Sequence, residues 1–301
     1  MTHSYTAHIP KALRPDPRPR CESTRWRRAN ELVHVERVGE PDAPVRAVFL
    51  HGAGGHAGLL RPYAELLAQR GVRCVVPDLP GYGRTIVRRR AAVRYPDWVA
   101  AATDLVLRER ESHDGTLLLV GASVGGMLAY DTATRTGAAD AVVATCLLDP
   151  RDPASRRVIS HHPLLGDLAL PLTRVVAGPL AGVSVPMRWL TNMRAISNRP
   201  ELTELVLRDR LGGGNSMPLG FLRSYLEYTP PVEPEQAQVP VVLAHPAEDR
   251  WTPVEVSLPF YERLAGPKRL VMLEGAGHIP VEEPGVGQLM EAAVNAVSLE
   301  G

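Results

Sequence analysis

Gly121-Ala122-Ser123-Val124-Gly125, a G-x-S-x-G pentapeptide, is the stretch that decides the fold. The apolar run at residues 116–120 predicts a buried strand before it, and residues 126–135 predict a helix after it. Glycine is needed at both ends of such a turn, because a side chain there would collide with the neighbouring strand and helix. The pattern therefore predicts that the Ser123 hydroxyl stands clear of a sheet. The alternative is a glycine-rich strand–helix turn in which the serine is incidental.

Short apolar runs alternate with helical patterns on both sides of this turn. The predicted strands cover residues 45–50, 72–76, 116–120, 141–148, 239–244 and 269–273. The predicted helices of the same region cover residues 59–70, 97–110, 126–135, 254–264 and 286–297. Nearly uniform apolar strands are typical of a parallel sheet that is buried on both faces. Their alternation with helices predicts an α/β fold, a mostly parallel central sheet flanked by helices.

The alternation stops between residues 151 and 238. Pro, Gly and Met are scattered there among helical patterns at residues 183–196, 201–211 and 220–228. We predict an inserted, mainly helical cap (lid), with residues 212–214 as a flexible joint. The α/β core would then comprise residues 29–150 and 239–301. Four apolar cap residues are candidates for a substrate pocket, although core packing explains them equally well: Met187, Trp189, Met217 and Phe221.

Bulk properties exclude several classes of protein. The 301 residues are 45% hydrophobic and 22% charged, as in an ordinary globular protein, and the composition leaves the oligomeric state open. The net charge of +1 gives no electrostatic reason to expect a nucleic acid partner. No apolar run approaches the roughly 18 residues that cross a bilayer, so we expect no stable membrane insertion. The three cysteines form no C-x-x-C pair, which favours a reducing, cytoplasmic location.

Residues 1–28 differ in composition from the rest of the chain. Residues 11–28 are rich in Pro and Arg, and the arm lacks the apolar core of a signal peptide. This composition predicts a poorly ordered or surface-hugging N-terminal arm.

A serine hydroxyl needs a base to take its proton, and the base needs an acid to orient it. His278 is the candidate base, because it follows the last predicted strand in a loop whose glycines let it curl over the sheet. Asp249 follows the strand at residues 239–244 and is the candidate acid, in the chain order Ser, Asp, His. Asp149, at the end of the preceding strand, is the alternative acid, and Glu248 is an adjacent rival.

The other histidines suit structural roles. His51 is predicted to brace the glycine-rich turn that follows it, and His245 to hydrogen-bond at the end of its strand. His161 and His162 lie in the cap, with no third ligand at a spacing that indicates a metal site. We therefore expect no metal ion and no organic cofactor.

The negative charge that develops on a carbonyl oxygen needs N–H donors, together called an oxyanion hole. The glycine-rich turn at residues 51–56 follows the first clear strand and exposes backbone N–H groups. We assign the N–H groups of Ala53 and Val124 as the donors, with Gly54 as the alternative to Ala53. The competing interpretation is a flexible strand–helix connector.

Five motifs in this order resemble the α/β-hydrolase superfamily. They are His51-Gly52, Asp78-Leu79-Pro80-Gly81-Tyr82-Gly83-Arg84-Thr85, the nucleophile elbow at residues 121–125, the loop from Asp249 to Pro253, and Gly277-His278 with Glu282 and Pro284. The resemblance covers residues 45–150 and 239–298 and leaves the cap unmatched. The turn after His51 is most similar to the monoacylglycerol lipase and lysophospholipase-like branch. Ala122 and Val124 depart from that branch, where histidine and methionine are frequent.

The resemblance implies a serine esterase that uses a catalytic triad of Ser123, Asp249 and His278. Such an enzyme would cleave a small-molecule carboxylic ester through an acyl-enzyme on Ser123, and the apolar cap residues suggest an apolar group in the substrate. The same triad could act on an amide, a thioester or a carbon–carbon bond. A non-catalytic ligand-binding protein on the same fold is the alternative of another class.

Overall fold

The computed structural model describes residues 5–160 and 163–298. The strands are β1 Cys21–Arg28, β2 Glu31–Val38, β3 Val45–Leu50, β4 Val72–Pro77, β5 Ile86–Val87, β6 Thr116–Gly121, β7 Ala141–Ala144, β8 Ser184–Pro186, β9 Ser216–Pro218, β10 Val241–Pro246 and β11 Lys268–Leu273. The α-helices are α1 Ala57–Ala68, α2 Tyr95–Glu111, α3 Val124–Thr136, α4 Pro153–Ile159, α5 Pro163–Val176, α6 Met187–Leu190, α7 Pro200–Arg208, α8 Leu219–Leu226, α9 Leu258–Glu262 and α10 Gly285–Val294.

In the described residues, nine strands form one sheet in the order β1-β2-β4-β3-β6-β7-β10-β11, with β5 paired to β2. From β4 to β11 the neighbouring strands are parallel, whereas β1, β2 and β5 form an antiparallel edge. The predicted α/β class with a mostly parallel sheet is confirmed. The predicted strand at residues 141–148 is too long, because β7 ends at Ala144.

The parallel strands β3, β4, β6, β7 and β10 are buried on both faces, whereas β11 at the sheet edge is partly exposed. Val48, Leu119, Val142 and Leu243 have no exposed surface, which explains the uniform apolar runs in the sequence. Among the helices that cover the sheet, α1 contacts α10 and α2 contacts α3. The carboxyl ends of β3, β6, β10 and β11 therefore meet at one edge, and the loops that leave this edge carry the candidate site.

Residues 5–28 do not form the poorly ordered arm that their composition predicts. β1 pairs with β2 along its whole length, from Cys21 opposite Val38 to Arg28 opposite Glu31. Tyr5 and Ile9 are buried in the main hydrophobic core. Of the two predicted alternatives, the poorly ordered arm is contradicted, because strand pairing and the burial of these two side chains outweigh a Pro- and Arg-rich composition.

The segment between β7 and β10 contains α4 to α8 and a separate antiparallel pair, β8 and β9. The predicted helices at residues 201–211 and 220–228 correspond to α7 and α8. The predicted helix at residues 183–196 is wrong, because β8, the four-residue α6 and a 3-10 turn at Met193–Ala195 share that stretch. α4 and α5 were not predicted, and His161 and His162 lie outside the described residues.

One polar cluster joins the N-terminal segment, the core and the cap. Asp209, at the end of α7, lies 2.7 Å from the Tyr5 hydroxyl and 2.8 Å from His56 Nε2. His56 Nδ1 in turn accepts the Gly58 N–H and caps α1. Burial would raise the pKa of Asp209, but these hydrogen bonds and the charge of His56 hold it well below its usual range. The cluster therefore contains a carboxylate that is ionised at neutral pH.

No disulfide joins the cysteines of the described chain: Cys21 is exposed and unpaired, and Cys74 and Cys146 are buried and unpaired. In the same part of the chain, no helix combines the length and the apolar character that crossing a membrane requires.

Candidate active site

Ser123 lies in a strained turn between β6 and α3. Its φ of 55° and ψ of −127° are rare for a residue with a side chain, and such a conformation costs about 1–3 kcal/mol. Packing makes the flanking glycines necessary, because a Cβ on Gly121 would lie 2.1 Å from the Gly125 oxygen and one on Gly125 would lie 2.0 Å from the Leu50 oxygen. The Ser123 N–H donates to Thr145 Oγ1 at 3.0 Å. This is the geometry of a nucleophile elbow.

The loops after β10 and β11 bring Asp249 and His278 together. His278 Nδ1 lies 2.7 Å from Asp249 Oδ2 and 3.1 Å from Thr252 Oγ1. The other carboxylate oxygen accepts the backbone N–H groups of Trp251 and Thr252 at 2.8 and 2.9 Å. Because the Nδ1–H is donated to the carboxylate, Nε2 keeps the lone pair that a general base requires.

The carboxyl of Asp249 is held in its ionised form. Burial by itself would raise its pKa, but the favourable electrostatic interaction with His278 and hydrogen bonds from His278 and Thr252 lower the pKa to about 2. Asp249 is therefore a carboxylate at neutral and mildly acidic pH. A carboxylate in this place orients the imidazole and stabilises an imidazolium.

The two rival acids lie elsewhere. Asp149 receives the Arg151 guanidinium on both oxygens, at 2.8–3.0 Å. Glu248 is exposed, and its backbone oxygen accepts the Asn198 side-chain amide. In the described residues, neither rival carboxylate makes a polar contact with His278. The geometry therefore pairs His278 with Asp249.

The glycine-rich turn after β3 lies directly against the elbow. A Cβ on Gly52 would lie 2.9 Å from the Ala122 oxygen and from Ser123 Cβ, and 3.2 Å from the Val124 nitrogen. The Gly55 N–H donates to the Gly52 oxygen at 3.0 Å and closes a β-turn. Its third residue, Gly54, has φ 81°, as a type II turn requires.

The geometry of this turn decides between Ala53 and Gly54, the two candidate N–H donors that follow β3. Among the described residues, neither the Ala53 N–H nor the Val124 N–H has a hydrogen-bond acceptor. The Gly54 N–H instead faces the phenol oxygen of Tyr82. Two N–H groups without acceptors, beside a strained serine, are suited to an oxyanion, and Ala53 fits this role better than Gly54.

His51 supports the turn from the interior. It is fully buried, its Nδ1 lies 2.8 Å from the Gly52 oxygen, and its Nε2 accepts the Leu79 N–H at 3.0 Å. Burial lowers the pKa of His51 to about 4, so the ring is neutral at physiological pH. These contacts give His51 the bracing position that we predicted and leave it no part in proton transfer.

Ser123 and His278 line one cavity of about 70 Å³. Ala53 and Gly54 contribute to its wall, together with the apolar side chains Phe49, Leu59, Leu60, Val120, Ile196, Ile279 and Leu289. The Tyr63 hydroxyl and Trp251 Nε1 are buried without partners among the described residues, and both side chains line this cavity. A small apolar group with one or two hydrogen-bond acceptors matches this environment.

The structure does not place the four predicted pocket residues in this cavity. Met217 and Phe221 are buried, and the Phe221 ring packs 4.9 Å from that of Trp98, centroid to centroid. Met187 is buried, while Trp189 is 63% exposed, and both line a separate cleft of about 740 Å³. None of the four lines the cavity at Ser123, because apolar content shows that a segment packs but not which side chains face Ser123.

Three supporting residues were missed by the sequence reasoning. The Thr252 hydroxyl donates to Asp249 Oδ2 at 2.8 Å, and the Trp251 ring lies 4.7 Å from the His278 ring. Thr145 holds the elbow through the Ser123 N–H. Thr252 could have been found, because a hydroxyl three residues after a loop aspartate can bond back to its carboxylate.

A cluster of potential metal ligands lies behind the acid. Single ligand atoms of Cys146, His245 and Asp249 fall within 4.8 Å of one another, and all three residues are buried. Both Asp249 oxygens already accept hydrogen bonds. Burial raises the pKa of Cys146 to about 12, which opposes the thiolate that binds metals. This cluster is therefore better suited to supporting Asp249 than to holding a cation.

Comparison with known protein families matches residues 47–287 to the alpha/beta hydrolase family. The chain belongs to this family. The resemblance that the five motifs indicated is thus confirmed. Comparison with curated proteins gave no match.

Solved structures of other alpha/beta hydrolases have the same fold. A monoacylglycerol lipase from Paleococcus ferrophilus is 23% identical, with a TM-score of 0.67 over 89% of this chain and 99% of that one. A soluble variant of monoglyceride lipase from Saccharomyces cerevisiae is 14% identical, with a TM-score of 0.76 over 94% and 95%. An esterase from Exiguobacterium antarcticum is 18% identical, with a TM-score of 0.66 over 92% and 100%.

Proposed function

We propose that this protein is a serine hydrolase that cleaves a small-molecule carboxylic ester. The observation that carries the proposal is the sharing of one cavity by a strained Ser123 and by His278, whose Nδ1 is bound to Asp249. Membership of the alpha/beta hydrolase family supports hydrolysis. The lipases and the esterase among the similar structures support an ester as the substrate.

The proposed reaction proceeds in two halves. His278 Nε2 takes the proton of Ser123 as the serine oxygen attacks the ester carbonyl, and the N–H groups of Ala53 and Val124 hold the oxyanion. His278 then returns the proton to the leaving alcohol, which leaves an acyl group on Ser123. The same histidine activates water to hydrolyse this acyl-enzyme. Asp249 keeps the ring in the required tautomer and balances its positive charge throughout.

The cavity restricts the acyl group. Its volume of about 70 Å³ is well below the roughly 300–1,000 Å³ of a pocket that encloses a whole drug-sized ligand, and its walls are mostly apolar. We therefore expect short, apolar acyl groups to react best. A series of p-nitrophenyl esters of increasing acyl length should show its highest kcat/KM at two to four carbons, roughly what this space admits. Amide and thioester analogues in the same screen test the other bonds that this triad could cleave.

The nucleophile is tested by labelling the folded protein with a fluorophosphonate probe. We expect one adduct on Ser123, and we expect Ser123→Ala to lose both the adduct and the esterase activity. Folded wild-type protein that neither reacts with the probe nor hydrolyses any ester would contradict the proposal and favour a ligand-binding protein.

The acid is tested with a matched pair of variants. Asp249→Asn should lower kcat by about 10⁴-fold, because the amide supports the wrong histidine tautomer. Asp149→Asn changes an equally buried carboxyl that faces Arg151 rather than His278, so it should change kcat only a few-fold. A larger loss in the Asp149 variant would show that we have paired the wrong carboxylate with the base.

A further inference from the structure

A cleft in the cap is lined by three arginines that have no partners among the residues that the structure describes. Its volume is about 740 Å³, and Arg188, Arg194 and Arg210 all line it with exposed side chains. In the described residues, none of the three forms an ion pair or a side-chain hydrogen bond. Unpaired guanidinium groups around one concave space create a local positive potential that attracts anions.

The nearby carboxylates do not neutralise this potential. No Asp or Glu lines the cleft in the described part of the chain. Asp209 precedes Arg210, but its Oδ2 already binds the Tyr5 hydroxyl and His56 Nε2. Arg208 shows the contrasting behaviour, because it is paired with Glu204 at 3.0 Å one turn away on the same helix.

The cleft adjoins the oxyanion turn. The cleft is lined in part by Met193 and Gly213. Both residues also lie against Gly54, because a Cβ on Gly54 would be 3.3 Å from Gly213 Cα and 3.5 Å from Met193 Cε. Gly54 itself lines the cavity at Ser123. That cavity, at about 70 Å³, is too small to hold a whole ester beyond its reacting group. The cleft is an adjacent space of sufficient size for the remainder.

We propose that the substrate of Ser123 carries an anionic group, a carboxylate or a phosphate, that binds Arg188, Arg194 and Arg210 in this cleft. Guanidinium groups bind both anions through paired, charge-assisted hydrogen bonds. Trp189, which is 63% exposed at the cleft, offers an apolar face to the part of the substrate next to the charge. This inference rests on the proposed ester hydrolysis and narrows its substrate class.

The test compares esters that differ only in charge. One series consists of p-nitrophenyl hemiesters of dicarboxylic acids of increasing length, each beside its neutral methyl ester. A second series has a butyryl ester whose alcohol ends in a carboxylate or a phosphate, each beside its methylated form. At low salt we expect the anionic member of at least one series to have a kcat/KM about 10-fold or more above its neutral partner, mainly through KM. This ratio should fall as salt screens the charges.

Variants locate the effect. Replacing Arg188, Arg194 and Arg210 together by Gln should bring the anionic-to-neutral ratio down to about 1, since the charge-assisted contacts are lost. Arg208→Gln removes an exposed arginine that lies outside the cleft, and it should keep the wild-type ratio. A binding measurement that does not depend on turnover uses Ser123→Ala protein and the amide analogue of the best anionic ester. In calorimetry, this analogue should bind more weakly to Ser123→Ala protein in which the three arginines are also replaced. The loss of affinity should match the fall in the anionic-to-neutral kcat/KM ratio.

Equal kcat/KM values for charged and neutral partners in both series would overturn the inference, as would a triple variant that keeps the wild-type ratio. Faster hydrolysis on anionic vesicles, without discrimination between the dissolved esters, would also overturn it and assign the arginines to a lipid surface. Failure of the proposed function looks different, because then neither member of any pair would be hydrolysed in a Ser123-dependent way.

Discussion

A methyl group added at Gly52 would test the contact between the oxyanion turn and the elbow. In Gly52→Ala, the new Cβ would lie 2.9 Å from Ser123 Cβ and from the Ala122 oxygen. Carbon atoms in contact prefer a separation of about 3.5–4.0 Å, so the turn and the elbow must move apart by roughly 0.5–1 Å. The Gly52 backbone has an ordinary φ, and the clash is therefore the main effect.

This displacement should affect catalysis more than folding. A misplacement of about 1 Å costs roughly 10²-fold in rate, and we expect kcat/KM for a short p-nitrophenyl ester to fall between about 10- and 100-fold. That loss corresponds to about 1.4–2.7 kcal/mol of transition-state stabilisation. It should appear in kcat, because the oxyanion contacts form mainly in the transition state.

The matched control is Gly178→Ala, which makes the same substitution where the nearest atom to the new Cβ is the Val175 oxygen at 3.8 Å. Both variants are assayed with urea unfolding and with the rate of fluorophosphonate labelling, so that loss of folded protein is separated from loss of reactivity. Folded Gly52→Ala protein with a kcat within threefold of the wild type would refute the reasoning, since the oxyanion turn would then not need to touch the elbow.

Two further changes probe groups that are buried near or behind the site. Thr252→Val removes the hydroxyl that donates to Asp249 Oδ2 and keeps the side-chain shape, so kcat should fall about 10-fold with little change in KM. Thr252→Ser keeps a hydroxyl and should retain most of the activity. Equal losses in the two variants would argue against a hydrogen-bonding role for this hydroxyl. Burial raises the pKa of Asp131 well above its usual value. The folded protein therefore keeps a proton on this carboxyl that the unfolded chain releases above about pH 4. Because of this difference, the protein becomes less stable as the pH rises. Asp131→Asn should remove that loss. Its advantage over the wild type in urea unfolding should grow, by up to about 1.4 kcal/mol per pH unit, as the pH rises above about 4. A difference that stays constant with pH would show that the carboxyl is ionised in the fold.

The parallel core could be predicted from the sequence because its strands carry a local signal. A strand that is buried on both faces is mostly apolar, as β3, β4 and β6 are, with Arg46 in β3 and Arg73 in β4 as buried charged exceptions. The glycines of the elbow could also be predicted from the sequence. A Cβ on Gly121 or Gly125 would lie only 2.0–2.1 Å from a backbone oxygen, which excludes any side chain there. The pairing of His278 with Asp249 rather than Asp149 followed from chain order and is what the geometry brings together.

The antiparallel edge and the cap were less predictable, for physical reasons. β1 at the sheet edge has mostly exposed, polar side chains, and its pairing with β2 leaves no apolar run to detect. β8 and β9 have only three residues each, too few for a periodic pattern. How the cap packs decides which of its side chains faces Ser123. Ile196 is the cap residue that lines the cavity, and no motif around it in the sequence marks it for that position.

The hydrogen bonds of Asp209 join the cap to the N-terminal segment through Tyr5 and to the core through His56. A cap that moves away from the sheet must therefore break the hydrogen bond between Asp209 and His56, and it keeps the one between Asp209 and Tyr5 only if the N-terminal residues move with it. Shortening or fusing the amino end would in this way alter how readily the enzyme admits its substrate, even though Tyr5 does not line the reaction cavity.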